Sequence, residues 1–66
     1  MQVNVNGTER EVPDHATVTQ LLAALGVPPR GVAVAVDGVV VAKTEHDTAV
    51  VPDGADVEVL TAVQGG

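Results

Sequence analysis

The sequence predicts an α+β fold in which one helix packs on one face of a mixed, mostly antiparallel sheet. Three observations carry this. Segments with period-two alternation or β-branched runs flank a single stretch of helical periodicity. One Asn-Gly step and the first of two Asp-Gly steps, the strongest short hairpin signals, fold neighbouring strands back on each other. With 66 residues there is room for one domain spanning 1–66, whose single helix must cover the one buried sheet face.

Gln2-Val3-Asn4-Val5-Asn6 alternates polar and apolar residues, the pattern of a strand with one buried face. Asn6 and Gly7 both tolerate the positive φ of a type I′ turn, so Thr8 to Val12 is the return strand. Pro13 and Asp14 close this hairpin, because proline donates nothing to a ladder.

The helix follows. Thr17 and Gln20 fit a capping box, in which each side chain satisfies the other's backbone N–H. Val18, Leu21, Leu22 and Leu25 recur at i, i+3, i+4 and i+7 and form one apolar stripe. Gly26 stands where a left-handed residue ends a helix, and Pro28-Pro29 prevents a restart.

Gly31 to Val36 is nearly all apolar, which predicts a strand buried on both faces or nearly so. Asp37-Gly38 turns the chain, and Val39-Val40-Val41 runs back. Ala42 to Thr48 is polar and irregular, with a short helical turn expected around Glu45-His46-Asp47. Pro52-Asp53-Gly54 is a third turn. Asp56 to Val63 is the last strand, with Val57 and Val59 toward the helix and Glu58, Leu60 and Ala62 on the opposite face. No second layer remains to cover that face, so an apolar patch is left exposed there. Such patches mark protein interfaces. The element order matches the β-grasp (ubiquitin-like) arrangement. That fold, rather than any spacing in this chain, implies that the first and last strands are adjacent and central.

Composition narrows the function. The chain has no Phe, Tyr or Trp and carries nine acidic against three basic residues, for a formal charge of −6. Single-stranded nucleic acids are bound by stacking on aromatic rings, and this charge repels phosphate backbones and anionic membranes. No nucleic acid and no membrane is expected as a partner. A negative surface steers the chain toward a basic protein face, although it also serves solubility alone. Cysteine is absent, which excludes a disulfide, a thiolate nucleophile and sulfur-ligated metal. Met1 opens straight into a strand pattern with no basic n-region or long apolar run, so the cytoplasm is the expected location.

The chain ends on Gly65-Gly66. Two residues without Cβ make the thinnest tail a polypeptide can form, and it is expected to stay mobile over about 63–66 in the free protein. Such a tail can thread a narrow channel and present the Gly66 carboxylate to another protein's active site. A frayed, inert terminus has the same composition. His15 and His46 lack any metal-ligand spacing and are expected at the surface, so no metal site is expected. Glu45, Asp47, Asp53 and Asp56 read as solvated charges, and Lys43, the single lysine, as an exposed solubilising residue. No nucleophile–base pair stands out. The chain therefore reads as an activated protein substrate with no catalytic residues of its own.

Three segments resemble the ThiS family, the ubiquitin-like sulfur carriers of thiamine (thiazole) biosynthesis. They are the hairpin from Val34-Ala35-Val36-Asp37-Gly38 to Val39-Val40-Val41, the stretch Asp53-Gly54-Ala55-Asp56-Val57-Glu58-Val59, and the ending Leu60-Thr61-Ala62-Val63-Gln64-Gly65-Gly66. Ala42-Lys43-Thr44-Glu45-His46 departs from the Pro-Arg-Ser-x-Trp-like pattern common in that family. The resemblance implies that a ThiF-like adenylating enzyme uses MgATP to activate the carboxylate of Gly66. Sulfur derived from cysteine through a desulfurase then makes a thiocarboxylate, which a ThiG-like thiazole synthase consumes. Gly65, Gln64, Val63, Ala62 and Leu60 are then the tail and partner-binding residues. The carrier binds no cofactor itself and is a monomer when free. Three alternatives stay open: the small subunit of molybdopterin synthase, a modifier conjugated to lysines, and a β-grasp interaction module with an inert tail.

Overall fold

The computed structural model describes residues 1–61. Its elements are β1 (Gln2–Val5), β2 (Thr8–Glu11), α1 (Val18–Leu25), β3 (Val32–Val36), β4 (Val39–Val41), a 3₁₀ turn (Lys43–Glu45) and β5 (Asp56–Thr61). The five strands form one sheet in the order β2-β1-β5-β3-β4. β1 and β5 pair in parallel, and the remaining pairs are antiparallel. This is the expected β-grasp topology, with the first and last strands adjacent.

Turn chemistry sets the hairpins. Asn6 and Gly7 have φ of 50° and 83°, and Asp37 and Gly38 have 51° and 83°. Both pairs have the double positive φ of a type I′ turn, whose twist matches that of the flanking strands. The capping box forms as the sequence predicts: Gln20 N–H donates to Thr17 Oγ1 at 3.2 Å, and Thr17 N–H to Gln20 Oε1 at 2.9 Å. At the other end Gly26 adopts φ 73°. There Gly26 N–H donates to Ala23 O at 3.1 Å and Val27 N–H to Leu22 O at 2.9 Å, the two bonds of a Schellman motif.

The core lies between the helix and one sheet face. Val18, Leu21 and Leu22 of α1 pack with Val3, Val5, Val32, Val34, Val57 and Val59 of the sheet, and with Val12, Val51 and Ala55. Each fully buried Val or Leu contributes about 1.5–3 kcal/mol of transfer free energy. Aliphatic packing alone thus makes the core, without aromatic residues.

Three expectations need correction. β3 is not buried on both faces: Val32 and Val34 are buried, but Ala33 is exposed and Ala35 only half-buried. Its apolar residues alternate between a packed valine side and an open alanine side, so an apolar run conceals a one-sided strand. The helical turn lies over Lys43–Glu45, ahead of the expected place. His46 is not at the surface, being only 6% exposed. It caps that turn, and the N-terminus of α1 accounts for its position. Val18 N–H donates to Ala49 O at 3.0 Å and Thr19 N–H to His46 O at 2.9 Å. The segment after the turn is drawn inward to satisfy the helix's free N–H groups.

Candidate functional site

The site expected at the C-terminal end starts where β5 leaves the sheet. β5 lies between β1 and β3, so its last described residues sit in the middle of the sheet and not at an edge. Val57 and Val59 are buried, while Glu58 and Leu60 are exposed. Leu60 is 69% exposed, on the face away from α1, as its alternation predicts. The expected tail residues Ala62, Val63, Gln64, Gly65 and Gly66 lie outside the described residues.

Register determines what surrounds Leu60. Ala33 is its partner on β3, and Ala35 opposes both Glu58 on β5 and Val40 on β4. Leu60 and Val40 stand over two alanines, whose small side chains leave a shallow depression of about 130 Å³ between them. Val40 is 73% exposed. This uncovered apolar surface lies beside the last described residues of the chain.

The other half of the same face is polar. Asn4 pairs with Asp56 across the parallel ladder and with Glu9 on β2, and Gln2 pairs with Glu11. Asp56, Glu58, Glu9 and Glu11 therefore share the open face with the apolar depression. Arg10 pairs with buried Val3 and lies on the opposite side of the sheet. An apolar hollow bordered by carboxylates suits a protein surface with an apolar projection and a basic rim.

The shifted titrations lie at the other end of the sheet. The Met1 ammonium donates to Asp14 Oδ1 at 2.9 Å, to Glu11 Oε2 at 3.0 Å and to Val12 O at 2.7 Å. Its hydrogen bond to Asp14 is the main cause that holds the amino group above its ordinary value of 8.0, with Glu11 adding to it. The same bond keeps the Asp14 carboxyl below 3.8. Parallel pairing of β1 with β5 puts this cluster far from Leu60, so it serves the fold.

Other candidates are not brought together. His15 is exposed, and the buried His46 is engaged by Val41 O. No group of three His, Cys, Asp or Glu residues among those described is placed to hold a metal ion. No described helix is long and apolar enough to cross a membrane. The sequence reading missed Ala33, Ala35 and Val40 as components of the patch. The alternation of Val with Ala along β3 marks the two alanines as sharing a face, but which residues of β4 and β5 join them depends on register.

The family model described as the ThiS family matches residues 3–66. The structure is similar to the crystal structure of a thiamine biosynthesis protein (ThiS) from Geobacter metallireducens, with 36% identity, a TM-score of 0.79 and complete coverage of both chains. It is also similar to the solution NMR structure of a thiamine biosynthesis protein from the same organism, at 36% identity and a TM-score of 0.80, covering 100% of this chain and 88% of that one. No curated protein matches the chain. A matched span of residues 3–66, together with the shared fold, establishes that this chain belongs to the ThiS family.

Proposed function

We propose that this protein is a sulfur carrier of thiamine biosynthesis whose working group is the carboxylate of Gly66. The observation that carries this reading is the extent of the family match, which runs through Gly65 and Gly66. The apolar patch around Leu60 supports it, because it supplies a docking surface beside the strand that leads to those glycines.

A C-terminal carboxylate, with an ordinary pKa of about 3.5, is ionised and unreactive at neutral pH. Activation by a ThiF-like enzyme with MgATP forms an acyl-adenylate and releases pyrophosphate. A desulfurase passes cysteine sulfur on as a persulfide, a thiol reductant supplies the two electrons that bring it to the sulfide level, and that sulfur attacks the acyl carbon. The C–S bond forms as the bond to AMP breaks, leaving a thiocarboxylate. A ThiG-like thiazole synthase then takes the sulfur. The chain's own part is to dock and to deliver. Residues 62–66 reach roughly 17 Å when extended, enough to enter a closed site where the adenylate is protected from water.

The test is intact-mass analysis of the protein from its native cells, with replacement of one oxygen by sulfur as the expected result. Isopeptide-linked adducts in place of that species would assign the chain as a protein modifier. Rescue of a molybdopterin synthase defect, and not of thiazole auxotrophy, would assign it to that pathway.

A further inference from the structure

The pairing of β1 with β5 ends early. Asn4 N–H donates to Ala55 O and Asn6 N–H to Val57 O, each at 2.9 Å. The chain then turns away at Gly7 into β2. The next rung is made by a side chain: Asn6 Nδ2 donates to Val59 O at 3.0 Å, and Val59 N–H donates to Asn6 Oδ1 at 2.9 Å. Only one orientation of the carboxamide satisfies both bonds, since Val59 N–H needs an acceptor and Val59 C=O a donor.

We propose that Asn6 is a positioning residue for the modifiable end, its carboxamide substituting for the missing β1 backbone and holding β5 on that side beyond Val57. Without it, β5 would be secured past Val57 by β3 alone. The turn itself does not require this amide. A type I′ turn is also made with glycine or aspartate at the first central position. Asparagine is distinct in offering both a donor and an acceptor at the end of a short side chain. Asn6 and Val59 line a cleft of about 350 Å³ with Arg10 and Thr61. Water can therefore take the place of the carboxamide, and the loss is readable by amide exchange.

The functional part of this inference rests on the sulfur-carrier reading, and the experiment separates the two. Asn6→Gly keeps the turn and removes the clamp; Asn6→Asp keeps the turn but sets a carboxylate against the Val59 carbonyl. Val3→Ala, a core change elsewhere on β1, is the control for lost stability. In Asn6→Gly, the Val59 amide should exchange roughly tenfold faster relative to Val57 and the core amides. Adenylation with MgATP by a ThiF-like enzyme should show KM raised roughly three- to tenfold in both Asn6 variants, with kcat within about twofold. Disorder at the root of the tail penalises docking more than chemistry. Val3→Ala should leave KM unchanged. An unchanged Val59 exchange rate overturns the clamp. Faster exchange with an unchanged KM overturns the positioning role, as does an Asn6→Asp protein with the wild-type KM. Should the wild-type protein not be adenylated at all, the sulfur-carrier reading falls, and the exchange arm still decides the clamp.

Discussion

The imidazole of His46 reaches the carbonyl oxygen of Val41, with Nε2 at 3.2 Å, and ties the segment after the 3₁₀ turn to the end of edge strand β4. A carbonyl only accepts, so Nε2 carries the hydrogen. The backbone of the same residue holds Thr19 N–H at the start of α1. One buried residue therefore joins the sheet edge, through its ring, to the helix N-terminus, through its backbone carbonyl. His46→Ala should lower the unfolding free energy by about 1–3 kcal/mol, because it removes the packed ring and leaves Val41 O without this partner. Urea denaturation measures the loss. Nitrogen NMR of the ring should report the Nε2–H tautomer, and an Nδ1–H form would contradict the assignment.

Leu60 is expected to behave in the opposite way. It is exposed on the open face, so Leu60→Lys should change folding stability by no more than about 0.5 kcal/mol. The same change inserts a cation into the apolar depression and opposes a basic partner rim. Binding to a ThiF-like enzyme should weaken at least roughly tenfold, as a central apolar anchor at an interface does when lost. Titration calorimetry beside a thermal melt separates the two effects. Equal affinity for both proteins would remove the patch from the docking surface.

The Met1–Asp14 contact gives stability two pH limits. The Met1 amino group is raised above 8.0 in the folded protein. Its contribution is complete below that value and is lost as pH rises through the higher folded value. Asp14 is lowered below 3.8. Its contribution is present above 3.8 and is lost as pH falls through the lower folded value. Thermal melts from acid to alkaline pH should therefore decline at both ends. Asp14→Asn should flatten both declines, and acetylation of the amino group should abolish the alkaline part. Both groups are at the surface, so the amplitudes should shrink with added salt.

At the far end of the chain, Gly66→Val is expected to leave the fold intact and to block activation. On the proposed function, a branched side chain beside the carboxylate to be activated widens a tail that has to enter a closed site. Circular dichroism should be unchanged, while pyrophosphate release in the adenylation assay should fall at least roughly a hundredfold, as mispositioning at a reacting centre does. Normal turnover by this variant would count against Gly66 as the working group.

Much of the fold was legible because local chemistry and global topology agree at the same residues. Asn6-Gly7 and Asp37-Gly38 make the turns they encode, and Thr17, Gln20 and Gly26 cap the helix as they read. What could not be read came from long-range satisfaction of polar groups. His46 looks like an isolated surface histidine until the helix N-terminus draws its backbone inward. Asn6 likewise reads fully as a turn residue, and its hold on Val59, 53 positions away, has no local signature. Leu60 was legible from strand alternation. Its neighbours Ala33, Ala35 and Val40 were not, because register across β3 and β4 decides which residues share a surface.

The parallel placement of β1 beside β5 also bears on how the molecule carries load. Tension between the two chain ends acts along these neighbouring strands in opposite directions and shears their rungs together, instead of unzipping them singly. The bonds from Asn4 to Ala55, from Asn6 to Val57 and between the Asn6 carboxamide and Val59 would share that load. A pull on the last residues that is resisted at the start of β1 is thus borne by these rungs together, without peeling this small body open.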